Sequence, residues 1–99
     1  MNSGRILGVR GVNLDGSTVS SIINSGSIVG SGAAGVAVRN TAYISTLTNT
    51  GLIQGVGRGV YLTAGSMGVI NNTVGGNISA DIGIDVVNST ISSLINVGS

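Results

Sequence analysis

Few residues in this chain have types that do chemistry. Four Arg and three Asp carry all of its side-chain charge, and His, Cys, Lys and Glu are absent. Without His or Cys, no Ser-His or Cys-His nucleophile system can be assembled. The missing Cys also excludes disulfides and thiolate metal sites. The one close acid pair is Asp81 and Asp85. On a strand, residues four apart share a face at about 13 Å, which is wide for either glycosidase geometry. Gly83 between them is expected to lie at a strand start. A carbohydrate-active enzyme would need a groove with clustered acids, and three Asp in the whole chain do not supply one. No Gly-Gly-x-Gly-x-Asp series recurs to hold calcium. No catalytic, cofactor-binding or metal-binding residues are assigned, and the expected reading is a non-enzyme without cofactors.

Other patterns resolve to structure. Gly30-Ser31-Gly32-Ala33-Ala34-Gly35 fits G-x-G-x-x-G, but a dinucleotide loop must open a helix. The next residues, Val36-Ala37-Val38, read as a strand, so the glycines mark a corner. Asp15 and Arg39 fall at one position of successive repeats, where a cross-rung ion pair is expected. Arg10 and Arg58 share another column and are read as solvated. The sequons at Asn71, Asn77 and Asn88 are about as frequent as chance placement gives. A net charge of +1, with Tyr43 and Tyr61 the only aromatics, lacks the clustered cations and stacking platforms of a nucleic-acid binder. Apolar stretches are too short to insert in a membrane as a helix. Met1-Asn2-Ser3-Gly4 has no signal-peptide character.

The elements that position these residues come from a repeat. Gly-x-Ile recurs at Gly4, Gly26, Gly51 and Gly76, giving a column Ile6, Ile28, Ile53, Ile78. A small residue stands two places on, at Gly8, Gly30, Gly55 and Ala80; it is read as letting the sheet bend or the opposite wall approach. A second motif, Gly-Val/Ile-x-Leu/Val, starts at Gly11, Gly35, Gly59 and Gly83, each 24 residues after the last. A third, apolar-x-x-apolar-x-Asn, ends at Asn24, Asn49, Asn72 and Asn96, with Asn2 in the same phase. Each motif alternates inward apolar and outward variable positions, as a half-buried strand does. Val36, Val60, Val38 and Leu62 then point inward, whereas Asn13, Ala37, Tyr61 and Asp85 face solvent. Gly and β-branched residues interrupt every window long enough for a helix. The Asn column marks a corner: Asn tolerates left-handed backbone, and its amide can bond the Asn above and below. Plain turn propensity is the alternative.

Three short strands per repeat of about 24 residues, each stacking on its counterpart one cycle later, predict a single-stranded parallel β-helix. The single domain spans residues 1–99, with coils at about 2–23, 24–48, 49–71 and 72–95, and residues 96–99 beginning another. Crossover chirality favours a right-handed coil. A Val-, Ile- and Leu-filled interior without Phe or Trp suits such a narrow core.

Asn24-Ser25-Gly26-Ser27-Ile28, the run Ile44-Ser45-Thr46-Leu47-Thr48-Asn49-Thr50-Gly51-Leu52-Ile53 and Gly59-Val60-Tyr61-Leu62 resemble repeats of bacterial autotransporter passenger domains. That family builds right-handed β-helices from "I-x-x-L-x-N-x-G-x-I-x-G" coils, and the resemblance covers essentially the whole chain. It implies a structural or adhesion module, a stalk fragment of a protein secreted to the bacterial cell surface, with an unidentified host ligand. Both ends stop at one phase of the repeat and carry no blunting residues. An excised or engineered fragment with uncapped coils is therefore expected, its partner being a second copy of itself in an end-to-end stack or compact oligomer. A dedicated fibre-forming, amyloid-like solenoid is the alternative.

Overall fold

The computed structural model describes all 99 residues and contains strands and turns only. The first coil supplies β1 (Arg5–Gly8), β2 (Val12–Asp15) and β3 (Thr18–Asn24). The second supplies β4 (Ser27–Gly30), β5 (Ala34–Arg39) and β6 (Tyr43–Asn49). The third supplies β7 (Leu52–Gln54), β8 (Arg58–Thr63) and β9 (Ser66–Asn72). The last supplies β10 (Asn77–Ser79), β11 (Ile82–Val87) and β12 (Thr90–Asn96). They form three four-stranded parallel sheets, ordered β1-β4-β7-β10, β2-β5-β8-β11 and β3-β6-β9-β12. The chain is a β-solenoid of about four turns, as its repeat predicts. Parallel pairing needs no crossover helix here, because the coil's other two strands return each strand to register.

The anchor columns are the registers. Ile6 pairs with Ile28, Ile28 with Ile53, and Ile53 with Ile78. Val12, Val36, Val60 and Ile84 form a second column. The core is narrow and layered: Ile28, Val36, Val38, Ile44, Leu47, Ile53, Val60, Leu62 and Ile70 are all fully buried. No aromatic ring is needed to fill it.

The glycines of the second motif interlock two sheets. A Cβ on Gly35 would stand 2.7 Å from Ile53 Cγ2, and one on Gly59 would stand 2.6 Å from Ile78 Cγ2 and 2.6 Å from the Gly83 carbonyl oxygen. Each glycine therefore admits the Ile of the next coil. The small column at Gly8, Gly30 and Gly55 works differently from the expected approach of an opposite wall. A Cβ at Gly30 would run into the Ala34 carbonyl, and one at Gly55 into the Arg58 carbonyl. What approaches is the chain's own next strand, turning the corner.

Two local expectations are corrected. Ala37 stands in the outward column with Asn13 and Tyr61 but is fully buried. A single methyl between longer neighbours is shadowed by them, so its outward direction does not expose it. The third motif does not strictly alternate either. Its register passes from Ile44–Met67 to Thr46–Val69 with no pair at Ser45–Gly68. Ser45 and Thr46 are both partly exposed between the fully buried Ile44 and Leu47, which accounts for the three-residue step.

A fourth column mixes residue types and lies outside the three motifs. Gly16, Asn40, Ala64 and Asn88 have φ of 70°, 51°, 53° and 48°, all left-handed and all at the corner before the third strand of a coil. An L-residue other than Asn, Asp or Gly is strained in that region.

Gly59→Ala places a methyl against Ile78 and the Gly83 carbonyl, and overpacking of this kind costs about 1–3 kcal/mol; unchanged denaturant unfolding would contradict the interlock. Ala64→Asn puts at an exposed left-handed position a residue that tolerates it, and should add up to about 1 kcal/mol in the same assay. A loss of stability would contradict the strain assigned to Ala64.

Candidate functional site

Asn24, Asn49 and Asn72 are the only buried polar residues of the chain. A buried amide without partners costs about 1–3 kcal/mol, so what surrounds these three matters. Asn24 Nδ2 donates to Asn49 Oδ1 at 2.8 Å, and Asn49 Nδ2 to Asn72 Oδ1 at 2.9 Å. The ladder runs on in both directions, with Asn2 Nδ2 to Asn24 Oδ1 at 2.9 Å and Asn72 Nδ2 to Asn96 Oδ1 at 2.8 Å. The amides of Asn24, Asn49 and Asn72 also donate to backbone carbonyls at the corner. Asn24 Nδ2 reaches the Leu52 oxygen at 3.0 Å, and Asn49 Nδ2 reaches those of Gly51 at 3.0 Å and Asn77 at 3.2 Å.

None of these asparagines has positive φ. Of the two reasons the sequence offers for a corner Asn, only the amide ladder applies at this column. The left-handed asparagines are Asn40 and Asn88, one corner earlier. Turn propensity alone is insufficient, because the ladder side chains point into the core.

The ladder has a direction. Every amide donates toward the C-terminal coil and accepts from the N-terminal one. At one end, Asn2 Oδ1 accepts only from the Gly4 N–H, at 3.3 Å. At the other, Asn96 Nδ2 donates to nothing within the chain. Around it the coil-4 face opens a concavity of about 240 Å³ bordered by Ile78, Ile84, Leu94 and Asn96. On the coil-1 face one of about 250 Å³ is bordered by Ile6, Val12, Leu14, Val19 and Ile22. Leu94 is 52% exposed and its ladder partner Ile70 not at all, which measures what one further coil would cover.

Charged groups gather on the outside of the sheet containing β2, β5, β8 and β11. Arg39 Nη2 lies 3.5 Å from Asp15 Oδ2, the expected cross-rung pair, and Asn40 Nδ2 donates to Asp15 Oδ1 at 2.8 Å. Arg58, expected to be solvated, instead donates from Nε to Asp85 Oδ2 at 2.7 Å and lies 4.2 Å from the Tyr61 ring centroid. The hydrogen bond to Asp85 holds the Arg58 guanidinium above its ordinary range, opposed by desolvation. The column Arg10–Arg58–Ile82 conceals this pair, because Arg58 reaches diagonally to Asp85, three residues beyond Ile82 in the column with Tyr61. Asp81 stands outside β11 and Asp85 is committed to Arg58, so the two acids do not form a pair. No group of three or more His, Cys, Asp or Glu comes together. The G-x-G-x-x-G run ends β4 and leads directly into β5. No helix is long and apolar enough to cross a membrane.

The chain matches no protein-family model, no curated protein and no solved structure.

Removing one amide from the middle of the ladder strands its neighbours. Asn49→Ala leaves the buried Asn72 Oδ1 without its donor and takes from Asn24 Nδ2 its side-chain acceptor and from the Asn77 carbonyl its amide donor. The expected loss is about 2–4 kcal/mol, from desolvated groups left unmade. Asn40→Ala, at an exposed corner, should lose less in the same unfolding titration. Equal losses would contradict the ladder's role.

Proposed function

We propose that the chain is a structural module, a rod segment of a secreted bacterial surface protein that joins further coils through its coil-end faces. The observation that carries this reading is the continuity of its columns. The Ile, Val and Asn ladders run through all four coils and reach both ends with apolar side chains and ladder amides exposed. Leu94 at one end is 52% exposed, and Ile6, Val12 and Val19 at the other are half-buried. Strand edges open on such faces are templates for further strands. The surface-stalk part of the reading is supported by the likeness of the coil motif to autotransporter passenger repeats. The adhesive role is carried by that likeness alone.

Nothing on the lateral faces favours a reaction. The ionic groups there are paired with one another, Arg58 with Asp85 through a hydrogen bond and Arg39 with Asp15 at 3.5 Å. Exposed ion pairs contribute about 0–1 kcal/mol at most, and these decorate a rod whose stability comes from its interior.

Sedimentation velocity across a wide concentration range tests the proposal. Association should increase with concentration, and Leu94→Asp, which places a charge on the coil-4 face, should return the protein to monomer with its β circular dichroism intact. A folded monomer at every concentration would contradict the proposal.

A further inference from the structure

We infer that the coil-4 face takes up the coil-1 face of a second copy of this chain, head to tail, with Asn96 of one copy replacing Asn2 of the other. The inference rests on association through coil ends and adds its direction and its geometry. Direction comes from the ladder. Its amides all donate one way, so one end offers the unused donor Asn96 Nδ2 and the other offers acceptors. Two coil-4 faces would oppose donor to donor, and two coil-1 faces acceptor to acceptor. Only the unlike faces complete each other's hydrogen bonds, and parallel strands continue in register only when the helix axis keeps its sense.

The geometry comes from a rung that the chain contains twice. Asn2 accepts at its carbonyl from the Ser25 and Gly26 N–H groups, at 2.9 and 3.2 Å. One coil from the other end, the Asn72 carbonyl accepts from Val97 and Gly98, at 2.9 and 3.3 Å. Likewise Ser27 N–H donates to the Gly4 oxygen and Ser99 N–H to the Gly76 oxygen, at 2.8 and 3.0 Å. Asn96-Val97-Gly98-Ser99 thus stands in the phase of Asn2-Ser3-Gly4-Arg5. When β1, β2 and β3 of a second copy stack on β10, β11 and β12, these two segments claim one rung, and one must leave. Asn96 ends a seven-residue strand in register with β9, whereas Asn2 is held to Asn24 by an isolated bridge. The segment that leaves is therefore Met1–Arg5. Asn96 Nδ2 then donates to Asn24 Oδ1 of the second copy, and Ser99 abuts its Ile6. The exchange keeps the number of ladder bonds and covers both concavities. The contact joins unlike surfaces and repeats along the coil axis, so no ring closes and it propagates as a filament.

The chain has no Cys, so engineered thiols report the contact. Ser21 on β3 and Ser93 on β12 are both exposed and share one column, through Thr46 and Val69. Stacked rungs lie about 4.8 Å apart, within the Cα separation that a disulfide spans. S21C and S93C variants of the full chain, oxidised separately, should remain uncross-linked. Mixed, they should give the heterodisulfide, and the double variant S21C/S93C should give a ladder of covalent oligomers. Disulfides within either single variant, or association by sedimentation with no heterodisulfide, would overturn the head-to-tail geometry while leaving end association standing. A monomer by sedimentation would overturn both.

Discussion

A buried carboxamide has to be answered on both sides, and in this fold that requirement organises the interior. Asn49 can be fully buried because Asn24 donates to it, it donates to Asn72, and corner carbonyls take its remaining proton. Slip the register of one coil by a residue and several of these partners are lost together, while every inward Ile and Val turns outward. The apolar columns alone would tolerate exchange among Val, Ile and Leu. The amide column does not tolerate exchange, so it pins coil on coil. Corner lengths are then free to vary, as the spacings of 25, 23 and 24 residues between successive ladder asparagines show.

That constraint propagates through the coil in order. A fixed Asn phase places the Gly-x-Ile strand two residues on, or four after Asn72, and the Ile it carries needs space in the preceding coil. Gly11, Gly35 and Gly59 provide it, with any Cβ there lying 2.6–2.7 Å from the Ile Cγ2 above. Three sheets locked in this way enclose a core closed only in the central coils. Ile28 and Ile53 are fully buried, whereas their column mates Ile6 and Ile78 are half-buried. The exposure of the outer coils is the same interior seen in section. A solenoid built so is indifferent to its length, because each coil contacts only its neighbours.

Much of this is legible in the sequence because stacking writes itself as a period. Ile6, Ile28, Ile53 and Ile78 pair as their spacing requires, and so does the Asn column from Asn24 to Asn96. The features that the period hides are of two kinds. Some signals are periodic but chemically mixed: Gly16, Asn40, Ala64 and Asn88 recur every 24 residues, yet Ala64 hides a column whose shared property is backbone conformation. Three left-handed-tolerant residues at one phase are the available clue. Other features depend on side-chain reach. Arg58 pairs with Asp85 from a column three residues away, and Ala37 is buried by the length of its neighbours, neither of which a column of aligned residues contains.

The central claim, that interior amides hold the coils in register, can be read directly from the side-chain NH2 protons. Hydrogen exchange monitored by NMR should find the Nδ2 protons of Asn24, Asn49 and Asn72 released only as slowly as the most protected backbone amides, by global unfolding. Those of the exposed Asn13 and Asn88 should exchange freely. Fast exchange at Asn49, with its neighbouring strands still protected, would contradict the account.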